Sequence, residues 1–193
     1  MIKTIIFDFD GTLANCKELH HEAFRKAVQK VCPGAEYDDE LVEGRPTREK
    51  IRMLHTMGYT FNGDKLNDIK QMITQENLPK FIKFDQELHD EIKRISEKYV
   101  VCLATNATEV FINRSLEIMG INQYFSKINT ATDFPAKPDP HTFFDCMKFS
   151  NSSPQTTVIF EDSPVGIQCA KATGCHVEEV LDVSDTIKKI RNY

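Results

Sequence analysis

Apolar residues are distributed along the chain with two different periods. Short apolar runs fall at Ile2–Phe9, Tyr99–Thr105 and Thr157–Phe160, with weaker ones at Lys127–Ala131 and His176–Leu181. They are rich in β-branched and aromatic residues and lack polar alternation, as expected of parallel strands whose two faces are both covered by helices. Between them, apolar residues recur at helical spacing over Asp85–Lys98, Thr108–Met119, His141–Phe149 and Pro164–Thr173, and a last helical stretch covers Ser184–Arg191. Gly120 and Gly174 follow two of these stretches as C-cap candidates, Thr108 stands at an N-cap position, and Ser163 precedes another helix. Strand alternating with helix predicts an α/β fold built on a doubly wound parallel sheet.

One segment breaks the alternation. From Asn15 to Phe84 there is no strand pattern, only amphipathic stretches at Lys17–Val31, Thr47–Met57 and Asp64–Thr74, separated by the turn signals Pro33-Gly34 and Asn62-Gly63. This is too long for a simple crossover between two strands. It predicts a small all-helical cap over residues 15–84, inserted into a core made of residues 1–14 and 85–193.

Composition narrows the possible partners. The chain has 193 residues, 40% hydrophobic and 27% charged, with net charge −5, which suits a globular protein with a real core. An acidic balance argues against a nucleic-acid polymer or a membrane surface as partner. The six cysteines are scattered without a CxxC pair, so reduced packing thiols are expected, not a disulfide frame or a zinc site. The opening segment lacks the pattern of a secretion leader, and no apolar run approaches the about 20 residues of a membrane helix. A soluble, cytoplasmic, monomeric protein is expected.

Candidate chemistry lies just after the strands. Ligands of open α/β sheets bind outside the carboxyl ends of the strands, near the point where strand order reverses. Asp8, Asp10, Gly11 and Thr12 follow the first run, Thr105 and Asn106 follow the second, and Glu161 and Asp162 follow the fourth. Lys137 stands in the loop Ala136-Lys137-Pro138-Asp139-Pro140. Four carboxylates, a hydroxyl, an amide and an ammonium would thus converge on one sheet edge. Hard oxygen donors without cysteine or histidine favour Mg²⁺ over zinc. A carboxylate is a competent nucleophile toward phosphorus, and a second carboxylate two residues on, facing the same way from an extended strand end, could exchange protons with the leaving oxygen and with water. Lys137, Thr105 and the backbone N–H groups around Gly11 would neutralise charge on a transferred phosphoryl group.

Together these segments resemble the haloacid dehalogenase-like hydrolase superfamily, in its branch with a small helical cap after the first motif. Asp8-Phe9-Asp10-Gly11-Thr12 is similar to the first motif, Thr105-Asn106 to the second, Lys137 in Ala-Lys-Pro-Asp-Pro to the third, and Glu161-Asp162 in Phe-Glu-Asp-Ser-Pro-Val-Gly to the fourth. The resemblance implies a Rossmann-like core with Asp8 as nucleophile and Asp10 as general acid/base. It also implies Mg²⁺ held by Asp8, the Asp10 carbonyl and the Glu161-Asp162 pair, with Asp162 as the direct ligand of the two. Gly11, Thr12 and Asn106 would contact phosphate. In the cap, His20 and Arg45, the latter within Glu43-Gly44-Arg45-Pro46-Thr47, are the candidate substrate contacts. Having Asp10 argues against dehalogenation. Asn15-Cys16 departs from the family's common Asp-Ser at the hinge into the cap, so the particular substrate does not carry over. The expected activity is a Mg²⁺-dependent phosphatase for a small phosphorylated metabolite. The alternatives are a β-phosphoglucomutase-like phosphosugar mutase and a non-catalytic phosphate-binding module.

Overall fold

Five short strands pair in parallel in the computed structural model, which describes residues 1–38 and 45–193. They are β1 (Thr4–Phe7), β2 (Val100–Ala104), β3 (Lys127–Asn129), β4 (Thr157–Glu161) and β5 (His176–Glu179), in the spatial order β3-β2-β1-β4-β5. Order therefore reverses between β1 and β4, and the crevice beyond their carboxyl ends is where such sheets bind ligands. Register is fixed on both sides of β1, with Phe7 opposite Leu103 of β2 and opposite Phe160 of β4. β1 and β4 are buried along their whole length, which explains why their sequences show no alternation.

The chain divides into two compact units, Met1–Asn15 with Ile82–Tyr193, and Cys16–Phe81. In the first unit α4 (Gln86–Ser96), α5 (Glu109–Met119), α6 (His141–Phe149), α7 (Pro164–Ala172) and α8 (Val183–Ile190) accompany the sheet. A central apolar cluster joins Ile6, Ile159, Phe143, Met147 and Ala170 with Cys102, Cys146 and Cys169, and Cys175 packs against it. All six cysteines are free thiols. The second unit holds α1 (Lys17–Val31), α2 (Thr47–Thr56) and α3 (Gly63–Phe81). Leu19, Ala23, Phe24, Ala27 and Val28 recur at helical spacing on the buried face of α1, and Phe24, Ala27 and Val28 form a separate core with Leu54 and Leu66. Among the described residues no helix is long and apolar enough to cross a membrane.

Several boundaries differ from the sequence pattern. The first run ends as a strand at Phe7 instead of Phe9, because the chain turns at Asp10, where Gly11 takes φ +93° and its N–H donates to the Ala14 carbonyl at 2.7 Å. The third and fifth runs are also shorter, ending at Asn129 and Glu179. Asn62-Gly63 is a helix start: the Asn62 side chain accepts from Lys65 N–H at 2.9 Å, and α3 then runs past Thr74 to Phe81. Pro79 lies in its last turn, where the lost N–H removes a single hydrogen bond. Thr108 occupies the N-cap of α5 but its side chain makes no capping bond; Thr132 Oγ1 accepts from Glu109 N–H instead, at 3.4 Å.

Phe7 and Phe9 flank Asp8 and anchor it. The Phe7 ring lies 4.8 Å from that of Phe160, and Phe9 meets Phe111 edge-on at 5.8 Å. Both are fully buried. Truncating Phe7 to alanine is expected to cost about 3–5 kcal/mol, seen as a lower urea midpoint with an unchanged m-value.

Candidate active site

The carboxyl ends of β1, β2 and β4 bring the acidic residues and the lysine together. Asp8 follows β1 directly, and its N–H donates to the Phe160 carbonyl at 3.0 Å, extending the ladder one residue beyond the strand. Glu161 is the last residue of β4 and has no solvent exposure. Lys137, 6% exposed, donates from Nζ to Asp8 Oδ1 and to Glu161 Oε1, each at 2.6 Å, and its ammonium lies 5.0 Å from the Phe143 ring centroid. Burial draws the Lys137 ammonium toward neutrality, but the two carboxylates more than offset this and raise its pKa above the usual lysine value. It is therefore a fixed positive charge. Burial and the neighbouring Glu161 and Asp162 charges push the Asp8 carboxyl well above its ordinary range, against the opposing pull of Lys137.

Glu161 is committed on both oxygens. Oε2 accepts from the N–H groups of Asp162 and Ser163 at 3.0 and 3.1 Å and from Ser163 Oγ at 3.1 Å, while Oε1 accepts from Lys137. Ser163 Oγ also accepts from Gly166 N–H at 3.1 Å and so caps α7. Asp162 is more open, and desolvation, aided by the Glu161 charge, raises its carboxyl to about 6.

The remaining candidates have definite partners. Thr12 is fully buried and its hydroxyl donates to Asp162 Oδ1 at 3.2 Å. Asn106 Oδ1 accepts from the backbone N–H of Lys137 at 2.8 Å, which ties the end of β2 to the lysine loop. Thr105 Oγ1 accepts from Ala107 N–H at 3.1 Å. Asp10 is half-buried and lies in the turn after β1, bridged to Ala14. Its backbone lies in this turn, not at an extended strand end as the sequence suggests.

The donor set fits a hard divalent cation. Carboxylate oxygens of Asp8, Glu161 and Asp162 lie within 4.8 Å of one another, all three are oxygen donors, and a single buried ammonium stands against them. Such a group carries a surplus of negative charge that a divalent ion would neutralise.

His20 and Arg45 belong to the second unit. Lys70 Nζ lies 3.4 Å from His20 Nδ1, and desolvation with the charges of Lys70, Lys50 and His21 lowers the imidazole to about 3. His20 is thus a neutral hydrogen-bonding group near pH 7. Arg45 is exposed and lies 3.7 Å from Glu49. Glu43 and Gly44 of the same candidate loop fall outside the described residues. Sequence reasoning missed Lys50 and Lys70, which are buried on α2 and α3. Lysines at helical spacing read as solvated positions, and only the fold brings both to bear on one imidazole.

Comparison with known proteins places this geometry in context. A model of the haloacid dehalogenase-like hydrolases matches residues 5–180. The chain is 26% identical over 190 residues to a protein of Thermotoga maritima named phosphorylated carbohydrates phosphatase, covering 94% of this chain and 85% of that one. It is also 26% identical to the validoxylamine A 7'-phosphate phosphatase of Streptomyces hygroscopicus subsp. limoneus, covering 98% and 94%. In fold it is similar to the crystal structure of β-phosphoglucomutase from Clostridium difficile, with TM-score 0.79, 23% identity, and 96% and 87% coverage.

The His20 environment has a pH signature. The unfolded imidazole takes up a proton below its ordinary pKa near 6.5, whereas the folded one stays neutral until about 3. The unfolded state therefore binds more protons in that window, and this contribution to stability is complete above about pH 6.5 and lost as pH falls. Between pH 7 and 5 the wild type should lose roughly 1–2 kcal/mol more than His20→Gln. Paired urea titrations of the two proteins at each pH would measure it.

Proposed function

The chain belongs to the haloacid dehalogenase-like hydrolases, and on that premise we propose that it is a Mg²⁺-dependent phosphatase that cleaves a small phosphate monoester. The observation that carries this reading is the Lys137 ammonium held at 2.6 Å from both Asp8 and Glu161. It fixes a nucleophilic carboxylate at the strand-order reversal, beside the acidic group suited to a cation. The names of the similar proteins favour a phosphorylated carbohydrate as substrate, and phosphatase names among them favour hydrolysis over isomerisation.

In the proposed reaction an Asp8 oxygen forms a bond to phosphorus as the bond from phosphorus to the ester oxygen breaks. Asp10, as the carboxylic acid, gives its proton to that leaving oxygen and becomes the carboxylate. It then takes a proton from the water that attacks phosphorus, the Asp8–phosphorus bond breaks, and inorganic phosphate leaves. Lys137, the Thr105 hydroxyl and the N–H groups near Gly11 and Asn106 stabilise charge on the phosphoryl oxygens. Thr12 acts through Asp162, which it holds by hydrogen bond. Asp8, the Asp10 carbonyl and the Glu161-Asp162 pair would hold Mg²⁺, with Asp162 the direct ligand of that pair because both Glu161 oxygens are already engaged. When bound, Mg²⁺ supplies charge neutralisation for the phosphoryl group. His20 and Arg45 are the proposed substrate contacts of the cap, His20 as a neutral hydrogen-bonding group.

Hydrolysis of p-nitrophenyl phosphate tests the reading. Activity should require Mg²⁺, vanish with EDTA and return on adding the ion. Asp8→Asn should lower kcat by about a thousandfold or more, and Asp10→Asn by about 10²–10⁴-fold. A wild type no faster than Asp8→Asn would overturn the proposal. With β-glucose-1-phosphate and a bisphosphate activator, inorganic phosphate is the expected product; glucose-6-phosphate without phosphate release would make the protein a mutase.

A further inference from the structure

The two carboxylates of the acidic pair each occupy the space that a side chain would fill at a nearby glycine. A Cβ on Gly11 would lie 2.0 Å from Asp162 Oδ2, and a Cβ on Gly166 would lie 1.9 Å from Glu161 Oε1 and 2.1 Å from its carboxyl carbon. These separations are far inside van der Waals contact. The two positions differ in one respect. Gly11 has φ +93°, so any L-residue there is strained whatever the space around it. Gly166 is buried in the first turn of α7, without positive φ, where alanine is intrinsically the better helix former. Local preference at Gly166 therefore points to alanine, and the three atoms nearest to the added Cβ, all of the Glu161 carboxylate, oppose it.

The atom nearest to that missing Cβ is the one that matters for the site. Glu161 Oε1 is the oxygen that accepts from Lys137 Nζ at 2.6 Å, and the same ammonium bonds Asp8. The other Glu161 oxygen is pinned by Asp162 N–H, Ser163 N–H and Ser163 Oγ, so the carboxylate cannot swing aside while keeping its bonds. We propose that Gly166 is a positioning residue for the reaction: the absence of its side chain lets Glu161 seat against α7, and Glu161 in turn sets where Lys137 stands between it and Asp8. The catalytic part of this inference rests on the phosphatase reading, while the steric part does not.

The test is a double-mutant cycle of Gly166→Ala with Glu161→Ala, read by thermal midpoint and by kinetics. In the wild-type background Gly166→Ala should lower the midpoint by about 2 °C or more. In the Glu161→Ala background, with the carboxylate gone, the same change should raise it, because helix preference then acts unopposed. Glu161→Asp, one methylene shorter, serves as the background if the alanine variant does not fold. For p-nitrophenyl phosphate, Gly166→Ala should reduce kcat about 10–100-fold with KM changed less than about threefold, and calorimetry should show weaker Mg²⁺ binding. A Gly166→Ala protein that folds only when Glu161 is also truncated would support the inference. A midpoint shift of the same sign in both backgrounds, loss of folding in both, or kcat within twofold of wild type would overturn it. A wild type without phosphatase activity would remove the reaction but leave the reversal of the midpoint shift as a separate result.

Discussion

The Lys137 ammonium, buried between Asp8 and Glu161, is the interaction on which the rest of the core depends. Removing a lysine and two carboxylates from water is costly, and removing one partner from such a group typically costs about 3–5 kcal/mol because the others are left buried and uncompensated. The sheet meets this cost by supplying the two carboxylates from strand ends and by tying the lysine loop to a third. Asp8 leaves the end of β1, Glu161 ends the neighbouring β4, and Lys137 is held from behind by the Asn106 side chain at the end of β2. The ion group is thus a cross-link between two strand ends and a loop far apart in sequence, and it fixes Asp8 while stabilising the crevice.

Glu161 shows how closely stability and site geometry are joined here. Its Oε2 gathers three donors at the start of α7, so it also completes the N-terminus of that helix, where a negative charge is favoured by the aligned peptide dipoles. Asp162, the next residue, is left more open, with a hydrogen bond from Thr12 directing it. Adjacent carboxylates therefore have different tasks: one is spent on structure and on the lysine, and the other is available to a cation. Identical chemistry is separated by the number of donors each carboxylate meets.

Much of this was legible in the sequence, for a physical reason. Strands of a parallel sheet must be apolar on both faces, so β1, β2 and β4 stand out as unbroken runs, and polar residues just beyond them mark the ligand-binding edge. Asp8, Thr105, Glu161 and Asp162 stand at that edge by this rule, whereas Lys137 stands in a loop well beyond β3. What the pattern could not show is which atom meets which. The turn at Gly11 cuts β1 short and puts the Asp10 backbone in a bridge with Ala14, not in an extended strand. The bonds of Asn106 Oδ1 with the Lys137 backbone and of the Thr12 hydroxyl with Asp162 join segments far apart in the chain, and no local pattern announces them. Gly166 reads as a weak helix residue, since the group that requires it lies five positions earlier on a different element.

Charge accounting gives the reason for a metal in such a site. Asp8, Glu161 and Asp162 are opposed within the group by Lys137 alone, and Lys137 is already shared between two of them. A phosphate monoester would add further negative charge, so the lysine by itself would leave the crevice repelling its own substrate. A divalent cation would neutralise that surplus, with Asp162, whose oxygens are less engaged than those of Glu161, as its direct ligand. In a site of this kind cation and phosphate each create the conditions for the other, so their affinities should be linked. An arginine-lined pocket could bind phosphate without such linkage, but it would have no carboxylate left to attack it. The acidic surplus that makes the opening segment costly to bury is therefore the same property that would draw a cation to it, with Lys137 setting how much of that surplus the fold can hold.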